Sequence, residues 1–369
     1  MRDTKLILIL LGVLVFIAVG FVLRILEPIL LPFVVAVFLS QIFAPINKAL
    51  RRRGVPGALA ILVVLVLVSL VILAFAGVVY SSVQSFGESL PKYQTRMQGM
   101  IEGISGRLSA SFPQIGDQVR EWKWQEAVEV SSLTGIVAAT LGSFLVFFND
   151  AILILLFLVF LLAGSEAFPH KLQRAFAGHA GRVGEVIRDV EEEVRKYLLT
   201  KTLINLANGI LVTILMTAFG VDFPVLWGFL TFLAHYIPNV GAILSAGLPT
   251  AFLFLQFSPG KALLVALLNA ALQFAIGHAV EPRVMGTSLD LSPLLVLLSL
   301  IFWGWLWGPW GMVLAVPMTS TMKIVCEHIG PLRPLAVLMS GSAAPEPPPQ
   351  TSVESKTEAG AARIPSGLT

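Results

Sequence analysis

Apolar runs long enough to cross a bilayer alternate with short basic or proline-rich clusters along most of the chain. A membrane-spanning helix needs about 20 predominantly apolar residues. Leu6–Leu23 has that character, and no small-x-small cleavage site follows it, so it predicts a retained first span rather than a signal peptide. Glu27-Pro28 and Leu31-Pro32 are expected to break the helix before a second span over Phe33–Leu50. A third span covers Ala58–Tyr80, a fourth Ile136–Ala163 with Asn149 and Asp150 inside it, and a fifth Leu203–Phe219. Between the third and fourth, Val83, Phe86, Leu90, Tyr93, Met97, Ile101, Ile104 and Leu108 recur at helical spacing. They predict amphipathic helices over 81–135, with a break at "SFPQIGD" and with Trp122 and Trp124 near the return to the membrane interface. Val183, Val186, Val190, Val194 and Tyr197 give the Lys/Arg-rich stretch 164–201 a similar face, predicting a helix on or near the inner leaflet.

Basic residues orient the spans. Arg2 and Lys5 precede the first span, and Lys48, Arg51, Arg52 and Arg53 follow the second, which places both ends of that pair in the cytoplasm. Counting onward, 81–135 forms an extracytoplasmic cap and 164–201 returns to the cytoplasm.

After the fifth span the pattern changes. Segments shorten, and Pro224, "IPNVGA", Pro249, "SPG", Pro282, Pro293, Pro309 and Pro317 interrupt them. Broken backbone at membrane depth is tolerated only where protein buries it or it lines a cavity. Residues 202–330 are therefore the expected transport core, with 1–80 and 136–163 as scaffold. Two stretches within the core echo each other: Phe223–Pro249 and Ser292–Pro317 each open with a proline and run apolar. Each turns at a Pro/Gly cluster (Pro238 and Gly241; Pro309 and Gly311) and closes at another proline. Arms this short predict two re-entrant hairpins, and the span count makes them begin on opposite sides, as in an inverted repeat. The fold class expected is thus an all-α polytopic membrane protein of about eight transmembrane segments, broken hairpins included. Proline-, serine- and alanine-rich composition from about Ser340 makes the end, 331–369, a disordered cytoplasmic tail.

Polar groups inside apolar segments mark pathways. Asn269, Gln273, Gly277 and Glu281 succeed one another at intervals of four, along one face of a helix that Pro282 is expected to stop. His278 is placed to hydrogen-bond Glu281, while Arg283 reads equally as a pathway residue or as the carboxylate's partner in a loop ion pair. Asn205 and Asn208 make a second patch in the fifth span, as interhelical contacts or as part of a solute path. His235, Tyr236 and Asn239 surround the first hairpin turn, and Trp303, Trp305, Trp307 and Trp310 are most simply interface anchors.

Composition agrees: 56% of residues are hydrophobic and 13% charged, against about 25% charged in soluble domains. The pI near 9.1 points to positive-inside loops rather than nucleic acid. A single cysteine, Cys326, excludes an internal disulfide or thiolate cluster. No hydrolase, phosphate-loop or metalloprotease motif occurs, so no catalytic residue, metal or cofactor is expected.

"PNVGA" at 238–242, "EPRVMGTSLDLSPLLVLLSLIFWGWLWG" at 281–308 and "GMVLAVPM" at 311–318 resemble the C-terminal signature of the autoinducer-2 exporter family. The resemblance implies an inner-membrane multi-pass permease that forms homo-oligomers and moves a small furanone-like signal. It also leaves sodium/proton exchange open, since some relatives are assigned that activity. The expected function is export of a small hydrophilic solute by alternating access, with a sodium/proton antiporter as the alternative. A non-transporting scaffold has no need of a carboxylate such as Glu281 in a charge-poor core.

Overall fold

The computed structural model describes residues 2–111, 150–164, 180–285 and 290–341. Its described elements are helical, apart from an isolated bridge between Leu291 and Ser340. In chain order they are α1 (Arg2–Ile25), α2 (Glu27–Arg52), α3 (Gly57–Ser111), α4 (Asp150–Gly164), α5 (Ala180–Ala218), α6 (Pro224–Ala234) and α7 (Val240–Gln256). Then come α8 (Pro259–Ala275), a π-helical turn (Ile276–Val280), α9 (Glu281–Met285), α10 (Pro293–His328) and α11 (Arg333–Met339). Among the described residues, five helices are long and apolar enough to cross a membrane, and four shorter ones are apolar. The chain is an all-α polytopic membrane protein.

Proline breaks fewer helices than the sequence suggests. Pro28 sits in the first turn of α2, where its missing N–H costs nothing. Pro32 lies inside the helix and removes only one backbone bond, while Leu31 and Val34 beside it pack into the core. The expected break at Leu31-Pro32 is therefore absent. The third span likewise does not hand over to separate cap helices. α3 runs unbroken for 55 residues, past Pro91, which is about 80 Å and far beyond the thickness of a bilayer. Its polar end is pinned to the core. Phe86 and Tyr93 stack on each other and meet Phe223 and Phe252 edge to face, and Lys92 and Tyr93 both reach Asp222, the lysine at 3.3 Å. Burial and the neighbouring carboxylate hold the Tyr93 phenol above its ordinary value, so it remains a proton donor to Asp222. The remainder of the expected cap, Trp122 and Trp124, and the first half of the fourth span lie outside the described residues.

α5 is another merger. Residues 165–179 of the amphipathic stretch lie outside the described residues; from Ala180 onward it and the fifth span form one helix of 39 residues. Val190, Val194, Tyr197 and Leu198 pack against Phe38 and Ile42 of α2 and Leu314 and Val316 of α10, so the apolar face is covered by protein. The tail assignment also starts too early: α11 folds back, with Ala336 buried and the Ser292 N–H donating to the Met339 carbonyl at 3.0 Å. The Ser340 hydroxyl and the buried Lys323 ammonium both meet the Asp290 carboxylate, which ties this end to α10.

Both predicted hairpins are present as folded pairs of arms. α6 and α7 are joined through His235–Asn239, with Asn239 at φ 61°. α10 breaks at Trp307 and at Gly308, whose φ of 60° suits glycine. The Trp303 indole N–H then reaches the Thr319 hydroxyl at 3.3 Å, across 16 residues that a straight helix would hold about 24 Å apart. The hairpins open at opposite ends of α5. Gln256, closing the first, bonds Gly220 and Asp222 just past the end of α5 (3.0 and 2.9 Å), whereas His328, closing the second, meets Asp189 near its start (3.3 Å). Their tips meet: Ile237 packs with Leu300, Trp303, Leu306 and Trp307. Trp303 and Trp307 are therefore core residues rather than interface anchors, and Trp307 also donates to the Leu23 carbonyl at 3.3 Å. Trp305 is exposed, with Arg24 over its ring, and Trp310 is also exposed.

Candidate functional site

A seam of polar side chains runs between α5, the first hairpin and α8, in a region otherwise built from apolar residues. α6 approaches α5 closely because Gly209 and Gly228 face each other; a Cβ on Gly209 would lie 2.7 Å from the Gly228 carbonyl oxygen. α8 runs antiparallel to α5, so the intervals of four that place Asn269 and Gln273 on one face also turn that face toward Asn208. The Asn208 amide donates to Gln273 Oε1 at 3.0 Å, Gln273 donates to Asn269 Oδ1 at 3.3 Å, and Asn269 donates to the Ser245 carbonyl at 3.0 Å. The Ser245 hydroxyl in turn lies 3.2 Å from His235 Nδ1. All five residues are buried. Buried polar atoms are ordinarily paired, yet Asn208 Oδ1, His235 Nε2 and the nearby Thr231 hydroxyl have no protein partner.

One end of the seam is charged. Glu281 accepts from the Lys201 ammonium of α5; the lysine side chain is 3% exposed and the carboxylate 26%. Two further contacts secure the hairpin tip beside it. The Tyr236 hydroxyl lies 2.8 Å from Thr202 Oγ1. Asn205, with its amide oriented to satisfy both ends, donates to the Lys201 carbonyl at 3.2 Å and accepts from the Tyr236 N–H at 3.3 Å. The first hairpin therefore ends where the ion pair begins.

The expected stripe is thus assembled in part. Asn269, Gln273 and Asn208 come together, while Glu281 pairs with Lys201 and shares no hydrogen bond with them among the described residues. Pro282 does not stop the helix: the π-turn at Ile276–Val280 widens the backbone just ahead of it, and α9 continues to Met285. The extra residue in that turn rotates the side chains beyond it about the helix axis. His278 faces outward, stacked on Phe274 with ring centroids 4.3 Å apart, and Nδ1 lies 3.3 Å from the Phe274 carbonyl rather than near Glu281. Arg283 is exposed and Lys201 takes its expected place as partner of Glu281. Asn239 is exposed at the hairpin turn and outside the network, its part being the tight turn there, closed by the Val240 N–H donating to the Pro238 carbonyl at 2.6 Å. Pro238 lies in the turn of the first hairpin with Gly241 in the first turn of α7, and Pro309 and Gly311 follow the break at Trp307 and Gly308. Lys201 is the residue that sequence reasoning missed. Its signal was position: it is the last charge before the run Thr202–Gly260, which holds only Asp222.

A family model described as AI-2E family transporter matches residues 8–330. A putative transport protein of Haemophilus influenzae is 32% identical over 308 residues, covering 81% of this chain and 86% of its own length. The AI-2 transport protein TqsA of Escherichia coli is 31% identical over 337 residues, covering 90% and 95%. The putative transport protein YhhT of Escherichia coli is 30% identical over 311 residues, covering 84% and 88%. These matches span the scaffold, the hairpins and the seam alike, and the names they carry denote transport rather than catalysis. The chain belongs to the AI-2E transporter family and is a multi-pass membrane transport protein.

Proposed function

We propose that this transporter exports a small hydrophilic solute by alternating access along the seam between α5, α8 and the first hairpin. The observation that carries the reading is the Lys201–Glu281 pair at the end of a buried amide chain with unpaired polar atoms. Amides and an imidazole are both donors and acceptors, so they suit a polyhydroxylated, uncharged solute. The Escherichia coli relative TqsA is named as an AI-2 transport protein, and a small hydrophilic signal is one solute this seam would suit. Two hairpins that open at opposite ends and meet at their tips supply the two gates that alternating access requires. The Lys201–Glu281 pair is the element whose separation changes with the open side. In this reading the hairpins are re-entrant, the membrane is the cytoplasmic one, both termini are cytoplasmic, and the chain works as a homo-oligomer.

The test is flux in proteoliposomes carrying the full chain, with autoinducer-2 and other small polyols, with and without sodium and pH gradients. Solute movement above that of empty vesicles is the expected result. Cation exchange in the absence of any solute flux would transfer the pair's role to sodium/proton antiport. The orientation has its own test. Arg107→Cys and Arg182→Cys, placed in a Cys326→Ser background, should react with an impermeant thiol reagent from opposite faces. Labelling from the same face overturns the topology.

A further inference from the structure

A second feature lies away from the seam, at the C-terminal end of α2. Lys48, Arg52 and Arg53 there and Arg195 of α5 line one cavity of 450 Å³, together with Pro45 and Ala49. α2 and α5 are brought together by Phe38 and Ile42 packing on Val190, Val194 and Tyr197, which sets Arg195 beside the end of α2. Among the described residues, none of the four cations is ion-paired with a carboxylate. Glu191 and Glu192, one turn ahead of Arg195 on α5, make no ion pair with it, and Asp189 meets Arg188 and His328. Basic residues in the last turn of a helix complement its dipole, which accounts for Arg52. It does not account for Arg195, which lies well inside α5. Four cations around one hollow repel one another unless an anion sits between them.

We propose that this cavity binds the phosphate of an anionic phospholipid and so braces α2 against α5, the helix that carries Lys201. The lipid is favoured over a soluble anion by where the hollow lies. It is at the end of a helix long and apolar enough to span the membrane, its lining includes Pro45 and Ala49, and the neighbouring Ile46 is an exposed apolar side chain along which an acyl chain can lie. Basic pockets between membrane helices recognise anionic head groups in this way. The assignment is independent of which solute is carried.

Native mass spectrometry of the full chain in detergent tests it, with phosphatidylglycerol, phosphatidylcholine and inorganic phosphate as separate arms. One phosphatidylglycerol should bind per chain in preference to phosphatidylcholine. Arg195→Gln should weaken it roughly 5-fold, and Arg52→Gln with Arg195→Gln roughly 25-fold, at the usual contribution of a basic side chain near a membrane surface. Arg195→Lys should keep most of the preference, which separates lost charge from lost folding, and Lys261→Gln at the other end of the core should leave it unchanged. Equal binding of the two lipids, or an unaltered Arg195→Gln, overturns the proposal. So does binding of inorganic phosphate with no preference between lipids, which would make the cavity a soluble-anion site.

Discussion

Glu281→Gln should abolish flux and destabilise the folded chain, whereas combining it with Lys201→Met should restore stability but not flux. In the single variant the Lys201 side chain, 3% exposed, loses its counter-ion. Removing one partner of a buried pair costs about 3–5 kcal/mol. Glu281 is 26% exposed, so water reaches one side of the pair and the lower end, about 3 kcal/mol, is the expectation. Replacing both charges by neutral side chains of similar volume is often neutral or stabilising. Denaturant unfolding in detergent, run beside proteoliposome flux, separates the two roles. Glu281→Asp keeps the charge on a shorter stem and should retain part of the flux. A double variant that carries solute at the normal rate would make the pair a structural contact only.

The glycines at the two hairpin tips give the second large effect. A Cβ on Gly241 would overlap the Ala234 carbonyl, and one on Gly311 would overlap the Trp303 carbonyl. The clash in each case is with backbone of the opposite arm, which cannot swing aside as a side chain can. Gly241→Ala and Gly311→Ala should each lower stability by about 1–3 kcal/mol, the usual range for overpacking. Flux should fall further than stability alone explains, because Ile237 of the first tip and Trp307 of the second share one buried cluster where the arms would be forced apart. Gly247, on the same helix as Gly241, has nothing within 4 Å of its would-be Cβ. Gly247→Ala should therefore be neutral or gain up to about 1 kcal/mol from helix propensity. Thermal unfolding of the three variants checks the contrast, and Gly241→Ala as stable as Gly247→Ala contradicts it.

The spans and the hairpins were legible because each has a local signal: apolar length for the first, proline and glycine at the turn for the second. Helix ends were less legible. Polarity rises after Tyr80 and falls after Lys201, but a change of solvent does not end a helix, and neither site has a chain break. α3 and α5 thus run through both. Pro282 misled in the opposite direction, since a π-turn upstream absorbed it and turned His278 outward. The amide stripe was readable from the spacing of Asn269 and Gln273, both on one helix. Lys201 as the partner of Glu281 was not, because 80 residues separate them and only the antiparallel packing of α5 on the end of α8–α9 brings them together. Trp303 and Trp307 show the same limit, since interface and core tryptophans look alike until the chain folds back over them.

The central claim is that the seam opens alternately to the two sides of the membrane. Ser245 tests it most directly, because it is buried between His235 and Asn269 and cysteine is nearly isosteric with it. In a Cys326→Ser background, Ser245→Cys should react with an impermeant thiol reagent from either face of the vesicle, and added solute should shift the two rates in opposite directions. A transport-competent Ser245→Cys protein that stays unlabelled from both faces, with and without solute, would place the pathway elsewhere.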